Sequence, residues 1–411
     1  MHISLDSALG QQRRLNSVGE SITQIAPDPA AAYSLRSLTG GDPKVVRVRR
    51  SSNDAEQDFT ASAVSSGELV NFVNEIQTLG TVTNSSGNNG FTLTNASSTG
   101  FTATTDTATG VCGWAYTAES GDKITVSFDA VIRSGTPQFL PRRATALSGS
   151  NLASVVSDSP LSVNSTGSYS FEFTYDDNQA GSLTFSEGDD NADFDISNFQ
   201  VTVFKGAGLV ETWYDQSGNG NDAVQATASL QPKIVNAGSL LADGVTFDGT
   251  DDVLTSINSS LTNYTFAGVY TVKTITDNTG FLGKGAGASD REFFVRMKSD
   301  GKVEHRVYST GSASTFDTIA SSASAISADT TALIAGSFNG STNAIRLDID
   351  DTVLTATSSV GLYAATSNLT IPSALGSEAH TAIAELLFYN TDESGKLSDI
   401  KTNINSHYSI F

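Results

Sequence analysis

The feature that most limits what this chain can fold into is its repeated coupling of short alternating runs to clusters of turn-forming residues. Lys123–Ile132 reads KITVSFDAVI, Tyr169–Tyr175 reads YSFEFTY, and Phe199–Phe204 reads FQVTVF, each bounded by Gly, Asn, Asp or Ser. Successive side chains of a strand point to opposite faces, so such runs bury one face of an antiparallel sheet and leave the other wet. The composition agrees. Only 16% of residues are charged, although hydrophobic residues reach just 38%. Disorder normally combines weak hydrophobicity with dense charge, so the small polar residues here read as turns and strand faces of an all-β protein.

Charge and cysteine usage exclude several function classes. The 44 acidic residues against 23 basic ones give a net charge of −21. Such a surface repels nucleic-acid phosphates and anionic membranes, so neither is expected as a partner. No stretch approaches the 18 or so apolar residues that a membrane-spanning helix needs. Cys112 is the single cysteine, so no intrachain disulfide can form. The first twenty residues lack the apolar core of a signal peptide, and the expectation is synthesis in a reducing cytoplasm.

Four segments emerge along the chain. Residues 1–32 are a polar arm with Arg13, Arg14 and the run APDPAAA, where Pro27 and Pro29 forbid a continuous helix. It reads either as a docking tether or as a terminus lying along its own domain. Residues 33–77 predict a short helix over Tyr33–Leu38, a strand over Val45–Arg50 and an amphipathic helix starting at Ser66. Residues 78–206 have their own start, alternation and finish, and read as an inserted domain. Residues 207–411 return to the earlier style, with strands at Thr265–Lys273, Glu292–Met297, Lys302–Tyr308, Ala332–Phe338, Ala344–Ile349 and Ile383–Tyr389. Glu385 in the last of these is expected to point outward. Asp350-Asp351 is a hairpin signal, Gly283–Gly287 reads as a hairpin turn, and Leu397, Ile400 and Ile404 mark a closing helix.

Several stretches together resemble a known family. AAYSLRSL (Ala31–Leu38), VVRVRRSSNDAEQDF (Val45–Phe59), VETWYDQSGNGNDAVQAT (Val210–Thr227), QPKIV (Gln231–Val235) and VTFDGTDDVL (Val245–Leu254) resemble the catalytic domain of the α-L-arabinofuranosidase B family, and more closely its phage-encoded relatives. The resemblance implies a concanavalin A-like β-sandwich formed by residues 33–77 and 207–411, and the C-terminal IAELLFYNTDESGKLSDIKTNINSHYSI is similar to the ending of laminin G-like domains. The end of the insert, DFDISNFQVTVF, resembles the last strand of jelly-roll carbohydrate-binding modules. The expected fold is therefore a concanavalin A-like sandwich with an inserted jelly roll and few short helices.

Active members of that family are retaining glycosidases, which need two carboxyl groups about 5–5.5 Å apart. The stretches corresponding to their catalytic motifs here hold Asp290, Glu292 and Glu378, without the vicinal cysteines that precede the family's nucleophile. The motifs are not reproduced, so no catalytic residue is assigned. The four histidines show no zinc-ligand spacing, and neither a GxSxG elbow nor a phosphate loop is present. Two readings of Trp213–Asn221 stay open. Trp213 and Tyr214 could stack on a sugar while Asp215, Gln216, Asn219 and Asn221 bond its hydroxyls. Alternatively the aromatics are core and the polar residues satisfy a turn in which Gly218 and Gly220 supply positive φ. Trp114 and Tyr116, two apart on one strand face, are either a sugar platform or a core pair. Asp189, Asp190, Asp193 and Asp195 offer hard oxygen ligands suited to Ca²⁺. Arg47, Arg49 and Arg50 either pair with carboxylates of the Asp54–Asp58 stretch or hold an acidic polysaccharide.

The function expected from all this is that of a non-catalytic phage virion protein, decorating a capsid or tail, made in the host cytoplasm and released with the particle. Its partners would be other virion proteins through residues 1–32, further copies of itself, and a cell-surface glycan. The alternatives are an active arabinofuranosidase or polysaccharide depolymerase and a secreted lectin-like adhesin.

Overall fold

The computed structural model describes residues 25–84, 91–104, 110–118, 120, 122–143, 147, 161–175, 180–187, 192–204, 206–276, 279–320, 326–373 and 380–411. Its strands are all antiparallel neighbours, and the chain is nearly all β. The chain separates into two compact units. One runs to Leu69 and resumes over Gly208–Phe411, and the other is Val70–Ala207.

The first unit is a sandwich. One sheet is built in the order Thr352–Thr357, Ala344–Ile349, Thr330–Asn339, Tyr264–Val272 and His380–Tyr389. The far edge of His380–Tyr389 is shared by Ala31–Ser34, which meets residues 385–388, and by Val245–Asp248, which meets residues 380–383. The facing layer runs from Phe316–Ala320 through Val303–Tyr308, Asp290–Met297 and Thr279–Ala286 to Leu369–Ile371. Tyr264–Val272 is buried at all nine positions, because one face meets the opposite layer and the other meets the closing helix Leu397–Tyr408. That helix places Leu397, Ile400 and Ile404 against Leu333, Ala335, Leu387 and Tyr389, which is the stripe its spacing predicts.

The second unit has two sheets around one aromatic core. A five-stranded sheet runs Leu161–Ser162, Gln138–Arg142, Gly181–Glu187, Gly110–Tyr116, Thr83–Asn84, and the opposing sheet is centred on Lys123–Ser134 and Asp193–Phe204. Ile124, Val126, Phe128 and Ala130 alternate inward along Lys123–Ser134. Trp114 stacks on Phe199 from the other sheet with centroids 4.0 Å apart. Gly113 cannot be replaced here: a Cβ would sit 2.1 Å from the Leu183 carbonyl oxygen of the neighbouring strand.

Two local expectations are corrected, and one open reading is decided. Ala31–Ser34 is a fully buried strand where a helix was expected over Tyr33–Leu38, because pairing with residues 385–388 outweighs local preference. Of the two readings open for residues 1–32, the described end, with Ala26 and Ala30–Ala32 in the core, lies along its own domain. Gly283–Ala286 continues a strand, and the turn begins only at Gly287, whose φ is +58°.

Among the described residues, 25 buried hydrophobic residues of the second unit form one cluster of its own. Residues 70–207 expressed alone are therefore expected to unfold in a single cooperative thermal transition with a β-type circular dichroism spectrum. A scan without a transition would show that this core depends on the rest of the chain.

Candidate functional site

The loop joining Gly208–Trp213 to Ala223–Val224 is a clamp on the segment that enters the first strand. Trp213 is fully buried against Tyr33, with ring centroids 5.6 Å apart. The Tyr33 hydroxyl meets the Asn221 carbonyl oxygen and the Ser256 hydroxyl. Asp215 Oδ1 accepts from the backbone N–H of Ala32 (2.9 Å) and Ser217 (2.8 Å), while Oδ2 accepts from Ser217 Oγ (2.6 Å) and the Asn221 N–H (3.0 Å). Buried Gln216 donates Nε2 to the carbonyls of Ser34 (2.9 Å) and Arg36 (3.0 Å), and its Oε1 accepts from the Leu38 N–H (2.8 Å). Gly218 and Gly220 turn the loop with φ of +89° and +72°. Of the residues offered as sugar contacts, Trp213 is therefore core, and Asp215 and Gln216 serve the backbone. Tyr214 donates its hydroxyl to Asp58 at 2.7 Å.

Asn219 and Asn221 do reach an open surface. Asn219 Nδ2 donates to the Pro29 carbonyl and Asn221 Nδ2 to the Ala30 carbonyl, both at 2.8 Å, which leaves their Oδ1 atoms as acceptors. They line a cleft of about 580 Å³ together with Asp28, Asn258, Ser259 and Asn390. Asn258 and Ser259 follow the Leu254–Thr255 strand, and Asn390 directly follows His380–Tyr389. All three are exposed. Ile257 and Ala30 add a small apolar floor. Nothing in the sequence singled out Asn258, Ser259 or Asn390, since lone polar residues in connecting loops carry no pattern.

The carboxylates compared with a glycosidase pair anchor a strap instead. Glu292 has no exposed surface. A bulge opposite Lys284 and Gly285 leaves Glu292 out of the strand register, on the side to which Lys284 also points. Lys284 Nζ donates to Glu292 Oε2 at 2.6 Å and to the Ala365 carbonyl at 2.7 Å. Glu292 also accepts from the N–H groups of Leu261 (3.0 Å) and Ala365 (3.1 Å). Burial pushes the Glu292 carboxyl up, against the opposing pull of Lys284. Asp290 accepts from the Thr366 and Ser367 N–H groups at 3.0 Å each and from both hydroxyls. The Ser367 hydroxyl leads in holding its carboxyl below the usual range. Asp317 grips Ser358 and Ser359 in the same way, so residues 358–367 are tied down at both ends. Glu378 lies outside the described residues. Glu385 does not point outward: it is buried and bound by Arg36 through Nε (2.7 Å) and Nη2 (2.9 Å).

The remaining candidates have structural partners. Trp114 and Tyr116 are buried in the inserted core, 1% and 3% exposed, so they offer no platform. Asp193 and Asp195 both engage Arg133, at 2.8 Å through Nε and at 2.7 and 2.8 Å through the two Nη atoms. Asp189 and Asp190 lie outside the described residues. Arg47 pairs with Glu56, Asp58 and Glu211, and Arg49 with Asp54 and Gln231. A carboxylate group that was not foreseen, Asp248, Asp251 and Asp252, brings oxygens within 4.8 Å of one another. The Asp248 and Asp252 oxygens already accept turn N–H groups, and burial pushes the Asp252 carboxyl up to about 6.

No family model matches the sequence, and no curated protein matches it. Solved structures resemble parts of it. The CBM40 of the Ruminococcus gnavus IT-sialidase bound to alpha2,3 sialyllactose is 13% identical with a TM-score of 0.30, over 34% of this chain and 83% of that one. The Trypanosoma rangeli sialidase in complex with 2,3-difluoro-KDN is 12% identical with a TM-score of 0.34, over 48% of this chain. Leech intramolecular trans-sialidase is 15% identical with a TM-score of 0.29, over 34% of this chain. The chain spans 31% of the Trypanosoma sialidase and 23% of the leech enzyme.

The buried pair gives a direct test of the anchoring role. Glu292→Gln leaves the Lys284 ammonium uncompensated and is expected to cost about 3–5 kcal/mol of stability, while the double change Lys284→Met with Glu292→Leu recovers most of it. Denaturant titration of the three proteins measures this. A single variant as stable as the parent would remove the anchor.

Proposed function

We propose that this protein is a non-hydrolytic saccharide-binding protein that works as a surface component of a phage particle. The observation that carries the saccharide reading is the open, amide-lined cleft. A sugar presents a rim of hydroxyls, each able to donate and accept, around a small apolar C–H face. Asn258 and Asn390 offer both donors and acceptors, Asn219 and Asn221 offer acceptors, and Ile257 with Ala30 offers an apolar contact. A pocket with a few placed polar groups and a volume of about 300–1,000 Å³ is the ordinary form of a small-ligand site. The absence of hydrolysis rests on Glu292, which is sealed in the core, and on Asp290, which is saturated by the strap. The particle assignment rests on the resemblance of Ala31–Leu38, Val45–Phe59, Val210–Thr227 and Gln231–Val235 to phage-encoded relatives, and on a surface of net charge −21 that stays dispersed outside a cell.

Oligosaccharide array binding by the full chain is expected to fall at least about tenfold in Asn258→Ala with Asn390→Ala, a loss of about 1.4 kcal/mol. The melting temperature is expected to stay unchanged, because both side chains are exposed. Equal binding by parent and variant would move the site elsewhere. Release of nitrophenol from a nitrophenyl arabinofuranoside would show hydrolysis and overturn the non-catalytic reading. The chain is also expected in mass spectra of gradient-purified particles, and consistent absence from them would end the virion assignment.

A further inference from the structure

Resting on the saccharide reading of the cleft, we infer that Asp28 is its specificity-determining residue and turns it against acidic saccharides. Among the described residues, Asp28 is one of six polar side chains lining the cleft and the only charged one. No lysine, arginine or histidine lines it among the described residues. A sugar carboxylate entering there meets a negative charge with no cation to receive it. A neutral sugar can donate a hydroxyl to the same oxygen.

The carboxylate is held in place by the chain around it. Asp28 stands between Pro27 and Pro29, so the torsions on both sides are restricted. Its own φ is +60°, a left-handed conformation that Asp and Asn tolerate better than most residues. The next two carbonyls are fixed by the clamp, with Pro29 bound by Asn219 and Ala30 by Asn221. Asp28 is exposed and forms no ion pair among the described residues. Asp215 and Asp222 in the neighbouring loop are engaged instead: Asp215 accepts from the Ala32 and Ser217 N–H groups and Asp222 from the Asp215 N–H. Discrimination therefore falls to one residue, which separates it from the diffuse repulsion of a −21 surface.

The test uses the full chain on an array in which neutral oligosaccharides of hexoses and pentoses stand beside counterparts carrying one sialic or uronic acid. The parent is expected to prefer neutral members by about tenfold, the scale of one unit-charge repulsion near a protein surface. Asp28→Asn keeps the left-handed conformation and is expected to bring the ratio close to one. Asp28→Lys is expected to invert it, and added salt to narrow the preference of the parent. A parent that binds acidic members as well as or better than neutral ones, or a ratio unmoved in Asp28→Asn, overturns the inference and leaves the saccharide reading standing. Binding to no member of any pair overturns both.

Discussion

The first unit depends on how the segment from Pro29 to Leu38 is held. Two adjacent side chains, Asp215 and Gln216, hydrogen-bond the backbone of Ala32, Ser34, Arg36 and Leu38 from more than 170 residues away. Those backbone groups are buried or nearly so, and leaving such a group unmet costs about 1–3 kcal/mol each. The clamp lets Ala31–Ser34 add to the edge of the most apolar strand, His380–Tyr389, and the Arg36–Glu385 pair seals the join. The same loop then carries Asn219 and Asn221 to the cleft. Scaffold and candidate site are parts of one device, so a change that loosens the clamp would disturb both.

Three carboxylates of this unit are buried completely and each meets a cation. Glu292 meets Lys284, Glu385 meets Arg36, and Asp348 meets Arg346 and Lys401, and none of the three carboxylates is exposed. Glu292–Lys284 fixes a bulge within its hairpin, while Glu385–Arg36 and Asp348–Lys401 tie a strand to a segment distant in sequence. Desolvation offsets most of the attraction in such pairs, so their contribution lies more in selecting one arrangement than in adding stability. A carboxyl group that works on a glycosidic bond must be reached by substrate, and the strap residues 358–367 are bound where Asp290 and Glu292 could have been reached.

Strand positions were largely legible in the sequence. Ala344–Ile349 has the bounds that its alternation suggests, and Lys123–Ser134 and Gly167–Thr174 differ only at their ends. The closing helix was equally plain, because three apolar residues at helical spacing need no tertiary information. Tyr33–Leu38 was not legible. With Ala31 and Ala32 before it, its Tyr, Ser and Leu residues suit a helix or a strand buried on both faces, and a short apolar run does not distinguish the two. Glu385 was misread for a related reason: alternation assigns a face, but it does not show that Arg36, distant in sequence, waits on that face.

The sequence by itself determined the all-β class, the alternating faces, the turns and the absence of a disulfide, because each follows from local side-chain size, polarity and backbone freedom. It also marked WYDQSGNGN as a segment with a special task. Only the tertiary structure decided what that task is. Trp213 went to the core, Asp215 and Gln216 to backbone groups of a distant strand, and Asn219 and Asn221 to a cleft completed by Asp28, Asn258, Ser259 and Asn390. Those residues come from four separate stretches of chain. Hydrogen bonds and burial across such separations leave no period or spacing in the sequence, so the cleft exists only once the sheets have closed.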